Sequence, residues 1–214
     1  MNGRTVRVQG RAVVAAEPDL AILNFELEAR DYDYERSSLE LNRRVELLRG
    51  ELEKAGVERK ALKTTNFKID TDYEWQNSKR IFKGYKASHD LILELPFERE
   101  VLNRVVRTVA ESASEAEMRI SFGVKDEEKL RRTALAKSVA VARRNAEVLA
   151  EAAGVSLGEI IDIEYGWTEV RLRSSFQLNA DMVCEAASGP DFEPTEVEAE
   201  ESVSVVWEIK SVER

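Results

Sequence analysis

The stretch Gly84-Tyr85-Lys86-Ala87-Ser88-His89-Asp90-Leu91-Ile92-Leu93-Glu94-Leu95-Pro96 decides the fold. Tyr85, Ala87, His89, Leu91, Leu93 and Leu95 recur at every second position, the period of a half-buried strand. Just upstream Phe67, Ile69, Thr71, Tyr73 and Trp75 form another alternating face, and the polar cluster Gln76-Asn77-Ser78-Lys79 separates the two. The spacing predicts a long β-hairpin. Further upstream the period changes. Leu41, Val45, Leu48, Leu52 and Ala55 recur at steps of four, three, four and three from Ser38 onward, and Gly56 follows as a C-terminal cap. Before that helix, Val6 and Val8, then Leu23, Phe25, Leu27 and Ala29, alternate with polar residues as two strands broken at Pro18-Asp19.

Downstream of the hairpin, Pro96 is expected to open a helix with Val101, Leu102, Val105, Val106 and Val109 on one side. Met118, Ile120, Phe122 and Val124 follow as a strand, and Asp126 is placed to cap a third helix. That helix carries the stripe Leu135, Val139, Ala142, Ala146, Leu149 and Ala153, with Gly154 ending it. Ile161, Ile163 and Tyr165 predict one more strand, and Val203, Val205, Trp207 and Ile209 the last. The order is ββαββαβαββ, an α+β class with a mostly antiparallel sheet and three main helices on one face. Residues 1–214 are expected to form a single domain, with a long insertion or arm at about 166–196.

Composition narrows the function classes. The 32 basic and 41 acidic residues give a net charge of −9, so the phosphate attraction behind most nucleic-acid binding is missing and no nucleic-acid partner is expected. A single Cys184 and a single His89 cannot build a closed zinc site or an internal disulfide within one chain. No membrane span is expected, because no run of about 18 apolar residues occurs. Met1 to Ala16 lack the apolar core of a signal peptide, which gives a cytoplasmic expectation.

The chemical motifs reduce to structural readings. Ser88-His89-Asp90 spells a triad, yet neighbouring strand residues point to opposite faces, so His89 turns away from both. His89 shares its face with Leu91 and Leu93 and reads as a half-buried, hydrogen-bonded histidine; a His89–Cys184 dyad is the rival reading. Asp70, Asp72 and Glu74, like Asp31, Asp33 and Glu35, start as calcium loops do, but Trp75 or Arg36 stands where glycine is required and Ile81 or Asn42 where glutamate is. The acidic run Asp191, Glu193, Glu196, Glu198, Glu200 and Glu201 reads as a solvated face that blunts a sheet edge. Arg43-Arg44, Arg131-Arg132 and Arg143-Arg144 read as solvated residues flanking buried helix stripes. No Gly-rich phosphate loop, nucleophile elbow or zinc-protease helix is present, and no catalytic, cofactor or metal residue is assigned.

Several pieces in order carry a family likeness: Val6-x-Val8-x-Gly10, Glu17-Pro18-Asp19-Leu20-Ala21, Ala55-Gly56-Val57 followed by Leu62-Lys63-Thr64, and Gly84-Tyr85-Lys86-Ala87-Ser88. Ile120-Ser121-Phe122-Gly123-Val124-Lys125-Asp126, Leu149-Ala150-Glu151-Ala152-Ala153-Gly154 and Pro194-Thr195-Glu196-Val197 complete it. Over nearly its whole length the chain resembles the SIMPL-domain family, bacterial proteins of uncharacterised function related to a periplasmic immunogenic protein family. The resemblance implies an α+β fold without established catalytic residues, and associations with stress responses and self-assembly.

An independent physical motive for assembly lies in the arm. Phe176, Leu178, Ala180, Met182 and Cys184 alternate there, and an extended strand with unpaired backbone groups can add to a sheet edge of another copy. The expectation is a non-enzymatic self-assembling or scaffold protein, a homo-oligomer with Phe176, Leu178 and Met182 in the intersubunit contact. The alternative is a module that binds a protein or peptide partner, and the third reading is an enzyme built on carboxylates without a standard motif.

Overall fold

A computed structural model of the chain describes residues 4–76, 79–166, 174–176 and 192–211. The elements run β1 (Thr5–Ala16), β2 (Leu20–Asp31), α1 (Tyr34–Lys54), a short 3-10 turn (Arg59–Ala61), β3 (Leu62–Gln76), β4 (Lys79–Pro96), α2 (Arg99–Ala110), β5 (Glu117–Gly123), α3 (Glu127–Ala152), β6 (Val155–Tyr165), β7 (Ser174–Phe176) and β8 (Val197–Ser211). The fold is α+β, in the element order read from the sequence, with the three-residue β7 added inside the arm.

Packing divides the chain into two compact units, one of Met1–Glu17, Val124–Ser174 and Thr195–Arg214, the other of Pro18–Gly123 and Ser175–Pro194. The first holds a three-stranded sheet in the order β1-β8-β6, with antiparallel pairings of β8 to both neighbours. Helix α3 covers it. Val8, Ala142, Ala146, Val203, Val205 and Trp207 form one buried cluster there, and Val124, Leu130, Ala134, Val197 and Ala199 another. The second unit holds a five-stranded sheet in the order β3-β4-β2-β5-β7, whose β3–β4, β4–β2 and β2–β5 pairings are antiparallel. Its core joins Leu23, Phe25 and Leu27 of β2 and Leu91 and Leu93 of β4 to Leu41, Val45, Leu48 and Leu52 of α1 and Leu102, Val105 and Val106 of α2.

Local chemistry sets the helix ends. Asp33 caps α1, its side chain accepting from the Arg36 N–H at 3.0 Å, and Asp126 caps α3 by accepting from the Lys129 N–H at 2.9 Å. Asp31 in turn accepts from the Asp33 N–H at 2.8 Å, so two acids of the failed calcium pattern build a helix start. Gly56 and Gly154 follow the last turns of α1 and α3 at φ of +92° and +66°.

Four readings need correction. Pro96 ends β4, and α2 starts at Arg99 behind the N-cap Glu98. The buried stripe of α3 is Leu130, Ala134, Ser138, Ala142, Ala146 and Ala150, while Leu149 and Ala153 face solvent. Apart from Leu62, which joins the core beside α1's stripe, and the half-buried Ile69, both faces of β3 are largely exposed, because it is an edge strand. The acids of β8 do not blunt an edge: β8 is the central strand, and its acids split between the two faces of the sheet.

Candidate functional site

His89 lies in β4 opposite Phe67 of β3, on the same face as Leu91 and Leu93. Its Nε2 is hydrogen-bonded to Thr64 Oγ1 at 2.9 Å, and its ring meets Phe67 edge-on at 5.4 Å. Burial lowers its pKa below 6.5, the Arg49 guanidinium lowers it further, and Asp90 opposes them. Ser88 and Asp90 belong to the other face, where Asn66 Nδ2 donates to Asp90 at 3.0 Å. The sequence triad is therefore split, and Cys184, the rival partner of His89, lies outside the described residues.

The face of the sheet that carries Asp90 has a cleft of about 310 Å³ lined by Asn24, Glu26, Asp90, Glu117 and Arg119 among others. Glu26 of β2 stands opposite both Asp90 and Glu117, and Arg119 offsets the charge with a 3.3 Å ion pair to Glu26. Among the described residues no group of three or more His, Cys, Asp or Glu side chains is arranged to hold a metal ion.

The first unit buries one acid that composition alone does not mark. Val197, Ala199, Glu201, Val203, Val205 and Trp207 are the inward positions of β8, and Glu201 is only 1% exposed. Arg131 of α3 reaches it at 3.6 Å, so this arginine is a partner of a buried carboxylate and not a solvated flank. Tyr165, at the end of β6, has its hydroxyl pKa raised by burial and then by Glu201. The signal was present in the sequence as an acid in phase with apolar neighbours. Arg44 is likewise drawn in: it pairs with Glu40 at 3.1 Å and Glu115 at 2.6 Å and donates to the Glu28 carbonyl at 2.9 Å. Hydrogen bonds from Arg43 and Arg44 hold the Glu40 pKa down at about 2.

Among the described residues of the first unit, the edge strand β6 exposes a group of large apolar side chains. Ile160, Ile161 and Ile163 are 51%, 57% and 51% exposed, beside the half-exposed Tyr165. Register shifts between Leu157 and Ile160 and between Ile160 and Asp162 bend the strand against β8. Val155–Tyr165 holds Glu159, Asp162 and Glu164 but no Lys, Arg or Pro. Ile161 and Ile163 were read from the sequence as strand residues, but alternation does not say which strand a helix will leave uncovered.

Of the expected contact residues, Phe176 ends β7, the strand beside β5 at the edge of the five-stranded sheet. Leu178 and Met182 lie outside the described residues. The far end of the arm turns inward: Phe192 is fully buried, 6.1 Å from the Phe122 ring.

Comparison with known proteins gives the chain a family. A family model described as "SIMPL: Protein of unknown function (DUF541)" matches residues 6–207. An uncharacterised protein YggE of Escherichia coli K12 is 21% identical over 213 residues, covering 100% of this chain and 86% of that protein. The protein of the same name in Edwardsiella ictaluri is 27% identical over 164 residues, 76% of this chain and 68% of that one. A solved structure, the regulatory subunit of aspartate kinase from Thermus flavus, aligns over 95% of this chain and 90% of its own, with 13% identity and a TM-score of 0.20.

Proposed function

The chain belongs to the SIMPL family, and from that premise we propose that it is a non-catalytic protein that works by self-assembly, a scaffold made of copies of itself. The observation that supports this is β6, an edge strand that presents three exposed isoleucines and that, among the described residues, has a strand partner on one side only. Such an edge is a template for another strand, with main-chain hydrogen bonds supplying affinity and side-chain burial the rest. Two β6 strands paired with each other would bring acids against acids. The opposite edge of the same sheet, β1, carries no acid, and its Arg7 and Arg11 already pair within the chain with Glu164 of β6 and Glu200 of β8, so head-to-tail addition of β6 to β1 of the next copy avoids the acid–acid contact. Phe176, at the end of β7, together with Leu178 and Met182 makes up the second proposed contact. The stress association rests on the resemblance alone and adds no residue to this reading.

The test is the absolute mass in solution by light scattering after size exclusion, over a concentration series. The intact chain is expected at a multiple of 24.3 kDa. Ile161→Lys with Ile163→Lys should yield folded monomers if β6 is the interface, and Phe176→Asp with Leu178→Asp should do so if the arm is. A monomer at every concentration would sink the assembly reading. It would favour the second one, in which the β6 edge accepts an extended peptide of another protein.

A further inference from the structure

Beyond the last β2–β4 pair, Asp31 with Tyr85, the hairpin continues as a two-stranded ribbon of Asp72–Gln76 and Lys79–Gly84. At about 3.3 Å per residue it extends roughly 15 Å past the end of β2. Gly84 sits at the ribbon's root with φ +114°, where a β-carbon would stand 2.8 Å from the Asp31 carbonyl carbon; only glycine fits this kink. The register puts Tyr73, Trp75, Arg80 and Phe82 on one face. Phe82 is the hub of an aromatic row, edge-on to Tyr73 at 5.6 Å, Tyr85 at 5.5 Å and Tyr32 at 6.4 Å, and Tyr85 meets Tyr34 at 5.6 Å. Four of the chain's five tyrosines are therefore in one surface row. Trp75, nearest the tip, is 73% exposed, and Ile81 and Phe82 are also exposed.

Charge is distributed along the ribbon in a definite order. From Trp75 to Lys83 the sequence holds Lys79, Arg80 and Lys83 and no acid, in a chain of net charge −9. Of the ribbon's acids, Asp72 stands at the root and pairs with Arg30 at 3.7 Å, while Glu74, opposite Ile81 and next to Trp75, is paired with Lys83 at 2.7 Å. A basic tip bearing an exposed tryptophan, with isoleucine and phenylalanine behind it, has the composition of a headgroup-level anchor, because amphipathic rings and basic side chains both gain in that layer. An interfacial element sinks about 5–10 Å, which the ribbon reaches without immersing Asp72.

We propose that the ribbon tip, through Trp75, Ile81, Phe82, Lys79 and Arg80, is a docking site for an anionic phospholipid surface. A single-stranded nucleic acid fits less well, since it needs open ring faces for its bases. Here Arg80 already covers the Tyr73 face at 3.6 Å, and the rings of the row meet edge-on. The inference does not depend on the assembly reading.

The experiment is flotation of the intact chain with vesicles of equal phosphatidylglycerol and phosphatidylcholine, alongside pure phosphatidylcholine vesicles and a single-stranded oligonucleotide. Binding is expected to the anionic vesicles alone and to fall with added salt. Trp75→Ala should weaken it about tenfold through lost apolar contact, and Lys79→Ala about fivefold through lost charge attraction. A blue shift of tryptophan emission on binding should disappear in Trp75→Phe. Both positions are solvent-exposed, and circular dichroism checks that each variant is folded. No vesicle binding by the intact chain, binding unchanged in Trp75→Ala and Lys79→Ala, or binding of the oligonucleotide in place of vesicles would each overturn the proposal.

Discussion

A methyl group at Gly10 would stand 2.8 Å from the Ala142 methyl, and it would fall inside contact distance of the Ser138 carbonyl oxygen. Helix α3 thus lies on β1 at a separation set by a hydrogen atom. Ser138 can be buried there because its hydroxyl donates to the Leu135 carbonyl at 2.8 Å. Gly10→Ala should therefore force strand and helix apart and cost about 1–3 kcal/mol, read as a lower urea midpoint at an unchanged slope. His89 gives a pH-dependent counterpart. Its pKa in the folded chain lies below 6.5, so between the two values the unfolded chain binds more protons and stability rises with pH. The contribution is full above about pH 6.5 and is lost as pH falls from there toward the folded value. Urea midpoints measured from about pH 7.5 down to 5 should show this slope in the intact chain and lose that part of it in His89→Gln. An identical pH dependence in both would mean that His89 is not the group responsible.

At the scale of elements, the helix starts are the most local features and the easiest to test. Asp126→Ala removes the acceptor for the Lys129 N–H and should cost about 1 kcal/mol, checked by thermal or urea unfolding. Asp126, the α1 stripe and the alternations of β2, β4 and β8 were legible in the sequence, because each is set by residues within a few positions of one another. What was not legible depends on distant partners. The α3 stripe was legible at Ala142 and Ala146, with Leu135 and Val139 packed against the same core, but was read aside at Leu149 and Ala153; the close approach to Gly10 takes Ser138 and Ala142, and Ala134 and Ala150 continue that face. Phe67 and Trp75 alternate like core residues, yet they lie on an edge strand at positions that no helix stripe covers. Glu201 was legible only as a misfit in the β8 pattern, since its partner Arg131 is 70 positions away in the chain and belongs to another element.

For the molecule as a whole, the exposed β6 edge is the observation behind the proposed assembly. The central claim is that β6 receives a strand from another copy. Backbone hydrogen exchange tests this directly, because an edge strand that gains a partner protects amides that otherwise exchange with solvent. The measurement compares Val155–Tyr165 at high and low protein concentration, and in Ile161→Lys with Ile163→Lys. The account predicts slower exchange in this strand at high concentration, an effect the double variant loses while α3 and β8 keep their protection. Exchange in Val155–Tyr165 that is independent of concentration and unaltered by the two lysines would contradict it.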